Sequence, residues 1–288
     1  MSDLRPRRSV LYMPAANERA LDKAKGIPAD ALIFDLEDAV APDAKPDARR
    51  NAVAAALSGE YGNKEITIRC NGLDTQWGAD DLVAAAMANV SAVVIPKINS
   101  VKEVEAVSSA LASAGAPGSM KIWAMIETPT AIFDVRQIAA HPRVQTLVMG
   151  TNDLAKELRA TQVRGRAPLT PHLATALLAA REAGKVILDG VFNDVKDLDA
   201  FRDECVQGAQ MGFDGKTLIH PSQVEIANDV WAPSADEVDY AQRVIAAFEE
   251  ATAEGRGVIT VDGRMIENLH VANAQRAIAI AEAIAELA

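Results

Sequence analysis

The sequence predicts an α/β protein built as a (β/α)8 (TIM) barrel with a C-terminal lid extension. Three observations support this fold class. Eight short apolar runs follow one another along the first 220 residues, and segments with helical periodicity separate them. The whole chain has 288 residues, and eight β-then-α units in the first part have the length typical of such a barrel.

The eight apolar runs are predicted to be parallel strands. Their hydrophobicity is continuous rather than alternating, as in strands that are covered on both faces. They are residues 9–14, 31–38, 65–71, 91–98, 121–128, 145–153, 185–192 and 212–220. An open doubly wound sheet has the same rhythm, but it usually carries a glycine-rich phosphate turn after its first strand. The first run ends in MPAANER without a GxGxxG pattern, so we favour the closed barrel.

Helix-start patterns lie between the apolar runs. Pro46 suits the first turn of a helix that runs to Ser58. Ser100 and Glu103 have the spacing of a capping box, which predicts a helix from residue 101.

The C-terminal part of the chain has a different pattern. Ser234 and Glu237 form a second capping-box pattern at the start of a long helix. A glycine-punctuated, β-like segment follows, and an Ala-rich amphipathic helix over 271–287 comes last. We expect residues 1–232 to form the catalytic barrel and residues 233–288 to form a lid.

Composition limits the classes of partner. The net charge of −11 argues against a nucleic-acid partner, because phosphate binding needs a basic surface. Cys70 and Cys205 lie far apart without a CxxC pattern, which favours a reducing, cytoplasmic environment. We see no apolar signal segment in MSDLRPRRS and no run of about 18 apolar residues, so no membrane partner is expected.

Polar residues end the second to eighth apolar runs, at the point where a barrel enzyme places its active site. We expect these side chains to converge on one mouth. They are Asp35, Glu37, Asp38, Arg69, Asn71, Lys97, Glu127, Asn152, Asp153, Asp189, Lys216 and His220.

Glu127 and Asp153 are the candidate metal ligands among these residues. Two carboxylates, completed by water and substrate oxygens, are a usual way to hold Mg²⁺. The alternative is that the two carboxylates cap the helices that start in ETPTAIF and NDLAKEL. The pattern alone leaves both interpretations open.

Arg69 ends a buried strand and therefore needs anionic partners. It could pair with Glu37 or Asp38 and still donate to a developing oxyanion, or it could form a purely structural salt bridge. His220 is either a ligand contact or a core imidazole, and we favour the core role from the pattern alone. Lys23 could meet phosphate groups, although most lysines are simply solvated.

The chain has no GxSxG, P-loop or HExxH motif. Lys97 and Lys216 leave a Schiff-base aldolase open, but nothing around Lys97 suggests the burial that would lower its pKa.

Taken together, eight motifs resemble a known family. RSVLYMP, DLEDAVAPDAKPDAR, IRCNG, VVIPKI, IETPTAI, GTNDLA, GFDGKTLIHPSQ and DGRMIE occur in this order along nearly the whole chain. They resemble the citrate lyase beta-subunit-like group of the HpcH/HpaI aldolase superfamily. That group includes malyl-CoA, β-methylmalyl-CoA and citramalyl-CoA lyases and a malyl-CoA thioesterase.

The resemblance implies a homotrimer or homohexamer in which the lid covers a neighbouring subunit's barrel. It implies Mg²⁺, or Mn²⁺ in its place, and a coenzyme A ester as substrate. The implied roles are metal binding by Glu127 and Asp153, contact of Arg69 with the reacting oxygens, lining of the coenzyme A path by Tyr12 and Lys23, and contact of Asn152, Ile219 and His220 with the substrate.

The lid motif departs from the lyases at one position. They carry a catalytic Asp where this chain has Glu267 in GRMIENLHV. A shift of about 1 Å in a catalytic group can cost on the order of 100-fold in rate. Glu267 could therefore still serve a lyase, or it could mark a relative that hydrolyses the thioester. A smaller departure is Ala15 and Asn17, where lyases often carry Gly and a basic residue.

We expect Mg²⁺-dependent, reversible carbon–carbon cleavage of a malyl-CoA, β-methylmalyl-CoA or citramalyl-CoA type of substrate, giving acetyl- or propionyl-CoA and glyoxylate or pyruvate. The catalytic residues in this hypothesis are Arg69, Glu37, Asp38 and Glu267. One alternative is hydrolysis of (3S)-malyl-CoA to malate and CoA. Others are a citrate lyase beta subunit acting on an acyl-carrier protein, and a pyruvate aldolase that does not use CoA.

Overall fold

Eight parallel strands close into a barrel in the computed structural model, which describes residues 4–255 and 257–287. The strands are β1 (Ser9–Pro14), β2 (Ala31–Asp35), β3 (Glu65–Arg69), β4 (Ala92–Ile95), β5 (Lys121–Ile126), β6 (Val144–Met149), β7 (Val186–Asp189) and β8 (Gly215–Leu218). Each strand pairs with the next, and β1 also pairs with β8. The predicted (β/α)8 barrel is confirmed.

Helices connect the strands and cover the outside of the barrel. They are α1 (Glu18–Ala24), α2 (Lys45–Leu57), α3 (Gly78–Ala88), α4 (Val101–Ser113), α5 (Pro129–Ala140), α6 (Thr151–Leu158), α7 (Thr170–Glu182), α8 (Leu198–Met211) and α9 (Val224–Val230). Pro46 lies in the first turn of α2, as predicted, because its missing N–H is not needed there.

The inside of the barrel is filled by apolar side chains from alternate strand positions. Val10, Ile33, Trp123, Val148 and Leu188 belong to this buried cluster. Because successive residues of a strand point to opposite faces, the residues between these positions face the helices.

The C-terminal segment contains α10 (Ala235–Ala253), the antiparallel pair β9 (Ile259–Val261) and β10 (Arg264–Ile266), and α11 (Asn268–Leu287). Residues 4–6, 231–255 and 257–287 form one compact unit, and residues 7–230 form another. The C-terminal unit has its own apolar core, which consists of Ala241, Val244, Phe248, Ile266 and Ala274.

One of the two predicted capping boxes is present. Ser234 accepts from the Glu237 N–H at 3.2 Å, and the Glu237 carboxylate accepts from the Ser234 N–H at 2.8 Å. The box predicted at Ser100 is wrong. Glu103 accepts instead from the N–H of Asn99 at 2.6 Å, and a carboxylate from α5 accepts the first free N–H of α4. A tertiary contact has replaced the local cap.

Asp189 and Lys216 do not converge on the barrel mouth, so this prediction is wrong. The strand residue next to each of them faces into the barrel. Asp189 and Lys216 therefore face the helix layer. Lys216 donates to Asp189 at 3.0 Å and to Glu204 of α8 at 2.8 Å, and Arg166 donates to Asp189 at 2.7 Å. Burial lowers the pKa of Lys216, but the two carboxylates outweigh it and raise the pKa overall. A charged ammonium of this kind is unsuited to Schiff-base chemistry.

Cys70 and Cys205 are both buried and unpaired. Within residues 4–255 and 257–287, none of the helices combines the length and the apolar character that crossing a membrane requires.

We predict that Lys216→Met destabilises the protein by about 3–5 kcal/mol, because it leaves the buried carboxylate of Asp189 and the half-buried carboxylate of Glu204 with one fewer cation. Urea unfolding followed by circular dichroism measures this change. Lys156→Met, on the exposed face of α6, serves as the control and should change the free energy of unfolding by less than about 0.5 kcal/mol. Equal stability of the two variants would show that the buried network does not stabilise the barrel.

Candidate active site

Arg69 and Asp35 form the centre of the barrel mouth. They are the last residues of β3 and β2 and lie opposite each other in the strand register. Arg69 Nε donates to Asp35 Oδ1 and Nη2 donates to Asp35 Oδ2, both at 2.7 Å. Asp35 is 1% exposed and Arg69 is 8% exposed. A bidentate pair of this kind fixes the plane of the guanidinium.

The third nitrogen of Arg69 faces the acids of the following turn. Nη1 lies 2.7 Å from Glu37 Oε2 and 3.5 Å from Asp38 Oδ2. Sequence reasoning named Glu37 and Asp38 as partners but missed Asp35 as the main one. The pairing of β2 with β3 identifies Asp35, because Asp35 and Arg69 end these neighbouring strands at the same level.

Tyr12 completes the surroundings of the guanidinium. The Arg69 carbon Cζ lies 4.8 Å from the centre of the Tyr12 ring, a cation–π contact. Burial raises the pKa of the Tyr12 hydroxyl well above its usual value, so it stays protonated at neutral pH. Arg69 is thus held by a carboxylate in its plane and by an aromatic ring on its face.

Glu37 titrates near neutral pH. Burial raises the pKa of its carboxyl to about 7, and the charges of Asp38 and Asp35 add to this effect. The positive charge of Arg69 opposes the shift but does not cancel it. Desolvation of the charged form is the dominant cause.

Glu127 directly follows β5 and is 2% exposed. Its Oε1 accepts from the backbone N–H of Lys97 at 2.7 Å. A Cβ added at Gly150 would overlap Glu127 Oε2, so only glycine at this position leaves room for the carboxylate. Burial raises the pKa of Glu127 to about 7, and the nearby charge of Asp153 adds to the shift.

Neither Glu127 nor Asp153 is a helix cap. Thr128 caps α5 by accepting from the Ala131 N–H at 3.0 Å. The cap residue of α6 is Gly150, and Asp153 lies half-buried in the first turn. The two carboxylates are therefore available for a ligand.

The described residues contain no group of three or more His, Cys, Asp or Glu side chains that could hold a metal. A pair of carboxylates does suit Mg²⁺, which keeps several waters, better than Zn²⁺, which takes three or four protein ligands. The room that Gly150 leaves around Glu127 agrees with this fit.

Lys97 is the second cation of the mouth. Burial lowers the pKa of its ammonium, but the charges of Asp153, Glu37 and Glu127 outweigh this and raise it. Its backbone adopts the left-handed conformation, with φ of 50°, which directs the N–H at Glu127. A protonated Lys97 is a poor Schiff-base nucleophile.

His220 is not a core residue, so this prediction is wrong. The side chain is exposed, and its Nδ1 accepts from the Ser222 N–H at 3.2 Å. It caps the short 3-10 turn Pro221–Gln223 that follows β8. The imidazole forms its hydrogen bond within the local Pro-Ser-Gln turn and not with partners in the core.

The remaining predicted binding residues lie on exposed surface. Lys23 is exposed on α1, and Ile219 is 41% exposed just after β8. Asn152 is exposed at the start of α6, where its amide exchanges hydrogen bonds of 3.1 and 2.7 Å with Asn193. Asn152 also lines a cavity of about 710 Å³ that extends between α6 and α8.

Glu267 belongs to the C-terminal unit. It lies between β10 and α11 and is half-buried. Its backbone N–H donates to Nδ1 of His270 at 3.2 Å, and the His270 N–H donates back to the Glu267 carbonyl at 2.9 Å. The residue is therefore fixed at the first turn of a 20-residue helix.

Residues 8–221 match the sequence profile of a family described as HpcH/HpaI aldolase/citrate lyase. The chain belongs to this family. The match covers the whole barrel from β1 to the turn after β8, so it includes Arg69, Glu127 and Asp153. The resemblance inferred from the motifs is confirmed.

Three relatives show what the chain is similar to. The (3S)-malyl-CoA thioesterase of Cereibacter sphaeroides is 50% identical over 280 residues, which covers 97% of this chain and 96% of the relative. The citrate lyase subunit beta of Escherichia coli K12 is 35% identical over 284 residues, 96% and 94% of the two chains. The protein CitE of Mycobacterium tuberculosis, in complex with magnesium, acetoacetate and coenzyme A, has a TM-score of 0.80 at 28% identity and covers 97% of this chain and 100% of its own.

These comparisons overturn the expectation of carbon–carbon cleavage as the main activity. The full-length relatives at 50% identity are (3S)-malyl-CoA thioesterases, whereas the citrate lyase beta subunits are more distant. The motifs identify the family, and relatives with this family resemblance include both thioesterases and citrate lyase beta subunits.

We predict that Glu37→Gln flattens the dependence of stability on pH. Between about 4.5 and 7 the folded state keeps a proton on Glu37 that the unfolded state has lost. The free energy of unfolding of the wild type therefore falls as pH rises through this window, by up to about 1.4 kcal/mol per pH unit from this group.

Urea unfolding at pH values between about 5 and 8 measures this slope. Glu225→Gln, on an exposed position of α9, is the control and should keep the wild-type slope. A Glu37→Gln variant with the same slope as Glu225→Gln would rule out a buried, titrating Glu37.

Proposed function

We propose that this protein hydrolyses the thioester of (3S)-malyl-CoA, or of a close analogue, to the free hydroxy acid and CoA. The observation that carries the proposal is the 50% identity, over almost the full length of both chains, to the (3S)-malyl-CoA thioesterases. Glu267, the position at which the lid motif departs from the lyases, supports the same choice.

Mg²⁺ is the proposed cofactor, because structures of the M. tuberculosis relative contain magnesium. Glu127 and Asp153 would hold it, with Gly150 leaving room for the Glu127 carboxylate. When bound, the ion supplies positive charge that polarises substrate oxygens. Lys97 keeps Glu127 oriented through its backbone N–H.

Arg69 has the proposed role of stabilising negative charge on the reacting oxygens. A guanidinium carries five N–H groups, and three of them face Asp35 and Glu37, which leaves capacity for substrate oxygens. The rigid pair with Asp35 means that little reorganisation is needed when charge develops. Asp38 would assist Glu37 in keeping this arrangement.

Glu267 is the proposed general base. It would take a proton from a water molecule, whose oxygen attacks the thioester carbonyl carbon. The carbon–sulfur bond then breaks, and the departing thiolate takes up the proton. We propose that Glu267 acts in the site of a neighbouring subunit within a homotrimer or homohexamer. Binding of the coenzyme A ester would involve Tyr12, Lys23, Asn152, Ile219 and His220.

We predict that malyl-CoA incubated with the wild type and Mg²⁺ yields free thiol and malate at equal rates. Thiol reagent absorbance and chromatography of the acids measure the two products. Glu267→Gln should lower the rate by about 10²–10⁴-fold, because the amide cannot accept the proton. Release of glyoxylate together with acetyl-CoA, without free thiol, would contradict the proposal.

We also predict that Gly150→Ala weakens Mg²⁺ binding by about 10–100-fold, because the new Cβ displaces the Glu127 carboxylate. Isothermal titration calorimetry with Mg²⁺ alone measures this change without turnover. Gly118→Ala is the control, because a Cβ at Gly118 meets nothing within 4 Å. Equal Mg²⁺ affinities of the two variants would remove Glu127 from the metal site.

A further inference from the structure

We propose that Lys45 is a positioning residue of the active site, which fixes the turn that carries Glu37 and, through it, the third contact of Arg69. Only the kinetic test of this proposal rests on the proposed function. Lys45 lies in DLEDAVAPDAKPDAR, but it is a helix residue outside the mouth and none of the residue-type arguments selected it.

Lys45 is the first residue of α2 and is only 5% exposed. Its ammonium donates to the Leu36 carbonyl at 2.8 Å, to the Glu37 carbonyl at 3.0 Å and to Asn71 Oδ1 at 2.8 Å. These three acceptors use all three N–H groups of the ammonium. A buried charge is tolerated only when it is satisfied in this way.

The ammonium is also covered on its open side. Lys45 Nζ lies 4.9 Å from the centre of the Trp77 ring, a cation–π contact. Trp77 directly precedes α3, so Lys45 is enclosed between the turn after β2, the end of β3 and the start of α3.

Asn71 extends the arrangement into the helix layer. Its Nδ2 donates to the Leu36 carbonyl at 2.9 Å and to Asp81 Oδ2 at 2.6 Å. Asp81 is fully buried, and its other oxygen accepts from Arg49 Nε at 2.8 Å. The Leu36 carbonyl is therefore held by two donors, both of which are anchored outside the mouth.

The opposite side of the same turn is held by Asp35. Its Oδ1 accepts from the Glu37 N–H at 2.9 Å, and its Oδ2 accepts from the Ala39 N–H at 3.1 Å. The turn after β2 thus has its carbonyls fixed by Lys45 and its N–H groups fixed by Asp35. Asp35 also holds Arg69, so a shift of the turn changes both partners of the guanidinium together.

The three convergent acceptors explain why a lysine is needed. An ammonium offers three donors around one point, whereas the planar fork of an arginine does not match this geometry. A methionine has the length but no donor, and it would leave two backbone carbonyls and an amide oxygen facing an apolar group. We expect the turn to move away from it, and Glu37 with the turn.

The experiment compares Lys45→Met with Lys64→Met. Lys64 is half-buried and donates to the Lys25 carbonyl at 2.9 Å, but it precedes β3 at the end of the barrel opposite to Arg69. Both variants lose a lysine-to-carbonyl contact, so a merely structural role predicts similar consequences. We expect only Lys45→Met to lower kcat for malyl-CoA hydrolysis, by about 100-fold.

Three readouts separate positioning from general damage. Mg²⁺ affinity measured by calorimetry should stay at the wild-type value in Lys45→Met, since Glu127 and Asp153 are not part of this arrangement. Amide hydrogen exchange at Glu37 and Ala39 should be faster in Lys45→Met and unchanged in Lys64→Met. Ethylammonium should restore part of the lost kcat in Lys45→Ala, because it can occupy the space of the removed ammonium.

The outcomes are distinguishable. A Lys45→Met variant with wild-type kcat, or with wild-type exchange at Glu37 and Ala39, overturns the positioning role. If the wild type releases no thiol from malyl-CoA, the proposed function fails, and the exchange comparison still decides the role of Lys45. If Lys45→Met does not fold, Asn71→Ser removes one of the two donors to Leu36 and should show the same faster exchange.

Discussion

The arrangement of the barrel mouth depends on the bidentate ion pair between Asp35 and Arg69. Both residues end neighbouring parallel strands at the same level, so the pairing of β2 with β3 brings them together. A guanidinium that is nearly buried must be satisfied, and Asp35 does this while also accepting two N–H groups of the next turn. The strand register, the conformation of the turn and the orientation of the positive charge therefore all depend on Asp35 and its contacts.

A second constraint is the crowding of carboxylates around this cation. The charges of Asp153 and Glu37 both act on Glu127, and burial raises the pKa of Glu37 and Glu127 to about 7. Two protein cations, Arg69 and Lys97, offset part of this negative charge. A site with such an excess of carboxylate suits a divalent cation that retains its waters. The same crowding explains why Lys97 stays charged.

Similar charges have a different role on the outer side of the barrel wall. Asp189 and Lys216 follow apolar strand residues, as Glu127 and Arg69 do, and they form a buried network with Arg166 and Glu204. The difference is only which face of the strand carries the charge. Inward positions at the strand ends meet the open mouth, whereas outward positions meet a helix and must be neutralised by the protein itself.

The sequence by itself determined the barrel, because eight continuous apolar runs separated by helical patterns leave few other ways to bury that surface. It also determined the family, through motifs that occur in order, and the positions of Arg69 and Glu127 at strand ends. Asp153 lies beyond the end of β6, in the first turn of α6. The tertiary structure decided that Asp35 is the main partner of Arg69 and that Asp189 and Lys216 face outward. It also decided that Lys45 contacts the Glu37 turn. These contacts join residues far apart in the chain, and whether they form depends on strand register and on side-chain direction, which a one-dimensional pattern does not contain.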